Sequence, residues 1–189
     1  NLIITNNPVI GNVWMCVDSE GRGYWSPISA ASTTNIWISG TGINSAILNG
    51  SGGLATGGYS VVEGRYSYAT GDTSHAEGSG TTAFGDASHS EGYQTTASGF
   101  ASHAQGLYTK SFGNYSHTEG QFTTAIGSSS HAEGDSTRAM GYASHTEGIY
   151  TTAIGTYSHA QGNQTIASGQ SSHAEGEYTT AIGAVSHAS

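Results

Sequence analysis

The stretch Ser144-His145-Thr146-Glu147-Gly148-Ile149-Tyr150-Thr151-Thr152-Ala153-Ile154-Gly155-Thr156-Tyr157, followed at once by Ser158-His159-Ala160-Gln161-Gly162, carries the pattern that decides the fold. The element Ser-His-small-acid/amide-Gly returns at every fourteenth position, and midway between its copies stands Thr-x-small-x-Gly. Outward from this stretch the spacing persists. All nine histidines, His75, His89, His103, His117, His131, His145, His159, His173 and His187, obey the same interval. Each unit is two pseudo-equivalent heptads. A coil without His, Ser60-Val61-Val62-Glu63-Gly64, precedes the first of them, and a degenerate coil with one extra residue ends at Gly50. The array therefore spans residues 42–189 as about ten repeats, and repetition of this kind sets the architecture ahead of local propensity.

A coiled coil also has a heptad period, but it needs apolar a and d positions and tolerates few glycines. A glycine in every heptad, with abundant Ser and Thr, opposes a helix. A strand of about five residues followed by a two-residue turn fits, with Gly closing each strand where a positive φ is cheap. Two such strands make one coil, and coils stack at ~4.8 Å into a rod on the order of 50 Å long. The expected fold is all-β, a parallel β-solenoid or β-roll with 14-residue coils and two short strands per coil.

Side chains alternate across a strand, so Ser74, Ala76 and Gly78 share one face while His75 and Glu77 share the other. The central position of the first strand is always small: Ala76, Ser90, Ala104, Thr118, Ala132, Thr146, Ala160 and Ala174. The second strand repeats this in Ala83, Ala97, Ser111, Ala125, Ala139, Ala153, Ala167 and Ala181. Uniform smallness predicts that these alanines line the inside of a narrow roll. So slight an interior buries little apolar area, which makes a lone protomer marginal and predicts association.

Composition narrows the function. Four Lys and Arg against thirteen Asp and Glu give a net charge of −9, which repels nucleic acid and anionic membranes. No apolar run approaches the ~20 residues of a membrane span, and no charged-then-apolar stretch resembles a signal peptide. The lone Cys16 excludes an internal disulfide framework and reads as a small strand residue. All three Trp, at positions 14, 25 and 37, and both Pro lie at or before Trp37, so residues 1–41 read as a separate small β-hairpin neck or cap. Val13–Val17 and Gly23–Ser26 are strand-like, with Asp18-Ser19-Glu20-Gly21 as the turn. The tryptophans pack under this hairpin or between subunits, or form a sugar platform. The array stops mid-coil at Ser189 without a polar capping repeat, which predicts a chain that continues beyond it.

Tandem small-x-Gly-x-x-Ser units in 14-residue coils resemble the left-handed parallel β-roll of trimeric autotransporter adhesin heads. The Ser-His-Ala-Glu-Gly array is also similar to those of phage and large-virus fibre proteins. Gly11-Asn12-Val13-Trp14 through Asp18, Gly21 and Trp25 looks like the hairpin that precedes such repeats. The likeness covers residues 42–189 and implies a homotrimer. This chain departs from the adhesin heads by placing His and Glu where those carry Val and Ile.

Site chemistry is confined to the columns His75, Glu77, His89, Glu91, His103, Gln105, His117, Glu119, His131, Glu133, His145, Glu147, His159, Gln161, His173, Glu175 and His187. Three readings are open for them: a structural hydrogen-bond ladder at a subunit interface, metal sites, or a pH switch. The substitutions Gln105 and Gln161 suit the ladder best. Identical groups in every coil do not make a catalytic constellation, and no nucleophile motif or phosphate loop is present, so neither enzyme activity nor a cofactor is expected. The opposite column, Phe84, Ser98, Phe112, Ile126, Met140, Ile154, Ser168 and Ile182, is variable. Its neighbours include Lys110 and Arg138, which suit a surface better than a threefold axis. Tyr93, Tyr108, Tyr115, Tyr142, Tyr150, Tyr157 and Tyr178 project at the turns, for packing or for sugars. The expected role is a trimeric fibre or adhesin segment at a cell or virion surface, with a host glycan or protein as the possible receptor. The alternatives are the stalk of a tailspike or autoproteolytic fibre, whose enzyme lies outside this chain, and an ice-binding Thr row, which Lys110, Arg138 and Ile166 interrupt.

Overall fold

The computed structural model describes residues 12–16, 23–27 and 37–189, and the chain divides into two compact units, Asn1–Ile36 and Trp37–Ser189. In the first unit β1 (Asn12–Cys16) and β2 (Gly23–Pro27) pair antiparallel, with Trp14 opposite Trp25 and Cys16 opposite Gly23. The turn expected at Asp18–Gly21 and the side-chain roles of Trp14, Trp25 and Cys16 lie outside the described residues.

The second unit is a solenoid of two parallel sheets. It begins with β3 (Trp37–Ser39), which runs antiparallel to β4 (Ala46–Leu48) and forms the edge of a 12-stranded sheet. Trp37, assigned to the neck from sequence, thus hydrogen-bonds with the first coil of the roll. From β4 onward every pairing is parallel. β5 (Leu54–Ala55) starts a 10-stranded sheet, and β6 (Val61–Arg65) follows β4 in the larger one. The step from Ala46 to Val61 takes up the one extra residue, and thereafter each residue pairs with its equivalent in the next coil, as His75 with His89 and Ala83 with Ala97.

The two heptads of a coil differ more than the sequence suggests. The strand that starts at His reaches five residues, as in His75–Ser79, whereas its counterpart across the roll has two, as in Thr82–Ala83. The difference lies in the two glycines. Gly78 takes φ 103 and the chain stays extended beyond it. Gly85 instead opens a tight turn closed by Ser88 N–H donating to its carbonyl at 3.1 Å.

Intrinsic preference predicts glycine at the positive φ of the turns, and here the structure differs. The left-handed positions at the turn tips are taken by Thr73 (φ 56), Ala87 (φ 55), Ala101 (φ 48) and Tyr115 (φ 57) at one corner, and by Gln94 and Tyr108 at the other. Such a conformation costs a non-Gly residue ~1–2 kcal/mol. What offsets it is an axial hydrogen bond: Ala87 N–H donates to Asp72 O at 2.8 Å, Tyr115 to Phe100 O at 2.8 Å and Tyr108 to Tyr93 O at 2.9 Å. These bonds reach back one position further than a full coil and extend the ladder through the corners. Glycine is required for another reason at Gly85, Gly99, Gly113 and Gly127, where a Cβ would collide with the carbonyl oxygen of the glycine one coil on.

The interior is as narrow as expected. Ala76, Ala83, Ala97, Ala104, Ala125, Ala132, Ala139, Ala153, Ala160, Ala167 and Ala174 are wholly buried, and Ala181 nearly so. Among the described residues no fully buried side chain is larger than Val62. Val62 and Ile47 stand in the Ala76 column, so the roll is better filled at its first coils. The serine before every histidine except His89 clamps the turn, Ser88 Oγ being buried without a partner. Ser74, Ser116, Ser130 and Ser158 are buried and donate Oγ–H to the turn glycine's carbonyl at 2.6 Å, which satisfies an acceptor that the fold has taken out of water.

Two substitutions in one turn separate these roles. Gly127→Ala, and likewise Ala153→Leu in the interior, should each lower unfolding free energy by about 1–3 kcal/mol or more through overpacking. Ser129→Gly, at an exposed position with φ 57, should leave stability unchanged or raise it by up to about 1 kcal/mol. Chemical denaturation of the three variants checks this, and a Gly127→Ala protein as stable as the parent would refute the close-approach account.

Candidate functional site

Parallel pairing with a fixed 14-residue step places identical residues directly above one another, so each face of the roll is a set of columns. On the larger sheet the imidazoles of His75 through His173 form an uninterrupted stack, with ring centroids 4.8–4.9 Å apart and planes within 9° of parallel. The last step, His173 to His187, is 5.0 Å with a 27° tilt. These rings are half-buried, and the Nε2 atoms of all eight from His75 to His173 are shut off from solvent without a hydrogen-bond partner.

The carboxylate column runs beside them. Nε2 of His103 lies 3.5 Å from Glu91 Oε1, that of His145 3.7 Å from Glu133 Oε1, and that of His187 3.3 Å from Glu175 Oε1. Glu77 sits between two rings, 4.0 Å from His75 and 4.0 Å from His89. Where glutamine stands in the column its amide donates to the next carboxylate: Gln105 Nε2–H to Glu119 Oε2 at 2.7 Å and Gln161 Nε2–H to Glu175 Oε2 at 3.3 Å. Where three acids follow one another, Glu119, Glu133 and Glu147 line a shallow groove floored by Gly120, Gly134, Gly148 and Gly162.

Protonation follows from this stacking. Burial, reinforced by His117 and His89 on either side, depresses His103 to a pKa of about 4. His131 and His159 are lowered by burial and then by their neighbouring imidazoles. A hydrogen bond between the Glu133 and Glu119 carboxyls, with burial and Glu147 adding to it, pushes Glu133 up to about 7 and holds Glu119 low. The pair shares one proton at neutral pH. His103, His131 and His159 are thus held toward the neutral imidazole, and Glu133 toward the protonated carboxyl.

On the other sheet Phe84, Phe112, Ile126, Ile154 and Ile182 are exposed, as are Lys110 and Arg138. The turn tyrosines are exposed too, and the ring contacts of Tyr93 with Tyr108 at 5.6 Å, Tyr142 with Tyr157 at 5.6 Å and Phe100 with Tyr115 at 5.5 Å follow the offset of the corner hydrogen bonds, whereas that of Tyr108 with Phe122 at 5.3 Å follows the coil repeat. Phe100 and Phe122 escape a sequence reading that follows tyrosine alone at the repeat period. A search one position longer than the coil joins Phe100 to Tyr115, whereas Phe122 stands a full coil after Tyr108 and joins the row once phenylalanine is counted with tyrosine. No helix among the described residues is long and apolar enough to cross a membrane.

A family model of the YadA head domain repeat matches residues 63–88, 119–137, 132–158 and 160–186, all within the solenoid. The matched coils of the roll are YadA head repeats. No curated protein matches the chain. YadA heads are structural adhesin domains, not enzymes, and are exposed outside the cell.

The pH response follows from the two opposite shifts. The depressed histidines contribute stability that is complete above about 6.5 and lost as pH falls toward about 4. Glu133, raised from 4.5, contributes stability that is complete below 4.5 and lost as pH rises through about 7. Glu133→Gln cannot ionise and can donate as Gln105 does, so its melting temperature should exceed the parent's at pH 8 and match it at pH 5. An equal difference at both pH values would show that no proton is shared.

Proposed function

We propose that this chain is a segment of a parallel homotrimeric adhesin or fibre, displayed outside a cell or on a virion, which holds a distal tip away from its base and attaches through its exposed aromatic rows. The observation that carries this is the match of YadA head repeats to a roll whose interior is too thin to stabilise one copy well. The His and Glu columns are proposed to face the threefold axis. They are strictly repeated, and three copies in register would bring every layer to the same height, where occluded imidazole nitrogens find partners on a neighbouring chain. The opposite face, with Lys110, Arg138 and an irregular apolar column, is then turned outward. The exposed rings at the turns offer flat surfaces of the kind that sugars and receptor proteins pack against. A net charge of −9 disfavours nucleic acid as a partner.

Native mass spectrometry tests the assembly. The parent should be three copies, His131→Glu with His145→Glu should be monomeric, and Ile126→Glu with Ile154→Glu should remain three. The reverse pattern would put the apolar column on the axis, and a monomeric parent would defeat the proposal. Attachment is tested by binding the parent and a Tyr142→Ala, Tyr157→Ala double variant to arrayed glycans and extracellular proteins, with binding by the parent and its loss in the variant as the expected result.

A further inference from the structure

The carboxylates of the column are not all alike. Glu119, Glu133 and Glu147 are adjacent and hydrogen-bond to one another, whereas Glu77 and Glu175 are each held between two imidazoles. Glu175 presents Oε2 at 3.9 Å to His173 and Oε1 at 3.3 Å to His187. Glu77 presents Oε2 at 4.0 Å to His75 and Oε1 at 4.0 Å to His89. In each trio one nitrogen or oxygen from every residue lies within 4.8 Å of the other two.

These separations have a chemical meaning. An N–H···O hydrogen bond spans about 2.7–3.2 Å, so the contacts at 3.9 and 4.0 Å are too long for one and the His187 contact at 3.3 Å is at its outer edge. Two ligands about 2.0–2.1 Å from a tetrahedral ion, however, stand about 3.3–3.5 Å apart. The Glu175–His187 contact already has that length, and the 27° tilt between the rings of His173 and His187 turns them out of the parallel stack. The other His–Glu contacts need a movement of a few tenths of an ångström at the ends of flexible Glu side chains, and the two imidazoles of each trio, with centroids 4.8 and 5.0 Å apart, must also tip toward each other about their side-chain torsions to bring both nitrogens to one ion. The Nε2 atoms of His75, His89 and His173 are occluded and have no partner within their own chain, so at these two sites an ion would take the place that a neighbouring chain's groups are proposed to take along the rest of the column. Gln161 donates to Oε2 of Glu175, which fixes that carboxylate and leaves Oε1 turned to His187.

We infer that the trios His75–Glu77–His89 and His173–Glu175–His187 each bind one divalent transition cation. Two imidazole nitrogens and one carboxylate oxygen make a borderline donor set that takes zinc, cobalt or nickel ahead of calcium or magnesium, which want oxygen alone. Three protein ligands leave a fourth position to water. The sites sit near opposite ends of the His stack, apart from the three-acid groove.

Zinc titration of the whole chain by calorimetry, with cobalt absorption as a report of tetrahedral geometry, tests this. About two ions per chain are expected. The double variant Glu77→Gln, Glu175→Gln places at both sites a residue the column already holds at Gln105 and Gln161, and its metal-free melting verifies the fold. It should bind at least about tenfold more weakly and lose the cobalt bands, while Glu119→Gln with Glu147→Gln retains both ions. Equal zinc uptake by the parent and the Glu77→Gln, Glu175→Gln protein would mean adventitious binding by the His column alone. That outcome, or absence of uptake by the parent, overturns the inference.

Discussion

Nothing in the roll can depart from the 4.8 Å step between coils. Backbone hydrogen bonds along the axis set that distance, at corners as well as in strands, and every side chain must be compatible with a copy of itself at the same spacing. Imidazoles meet the condition by lying parallel. Carboxylates meet it by sharing protons, by accepting from a glutamine or by facing imidazoles. Glycines meet it where even a methyl group would touch the next coil's carbonyl. The interior alanines are the same constraint seen across the roll, where two sheets converge too closely for anything bulky.

Much of this was legible in the sequence because the strongest signal was also the simplest. Nine histidines at one interval give the coil length, and alternation within Ser74–Gly78 separates the two faces of the strand. The corners were not legible. Intrinsic preference argues for glycine at positive φ, yet Thr73, Ala87 and Tyr115 take those positions, because the bond each makes to the preceding coil is invisible to a reading that treats one residue at a time. The same offset hid Phe100. The charge state of the columns was likewise beyond composition: His103 and Glu133 shift in opposite senses because of burial and stacking, which depend on the coils above and below.

The YadA repeat sets the roll, and the His and Glu columns are laid on it. This chain lines one face of that roll with ionisable groups, among them His103, depressed to about 4, and Glu133, raised to about 7. Its stability therefore varies with proton concentration in a way an apolar column would not, and the acids and imidazoles pull in opposite directions. Gln105 and Gln161 divide the carboxylates into short runs, which limits how many negative charges ever stand in succession.

Because each coil meets its neighbours through the same contacts, a coil is an exchangeable part. Removing or duplicating one coil within the regular array would rejoin surfaces that already fit and change the roll's length by a single 4.8 Å step. Reach is thus set by copy number and needs no redesign, so recombination between tandem coding units offers a lineage a ready means of adjusting how far the molecule extends.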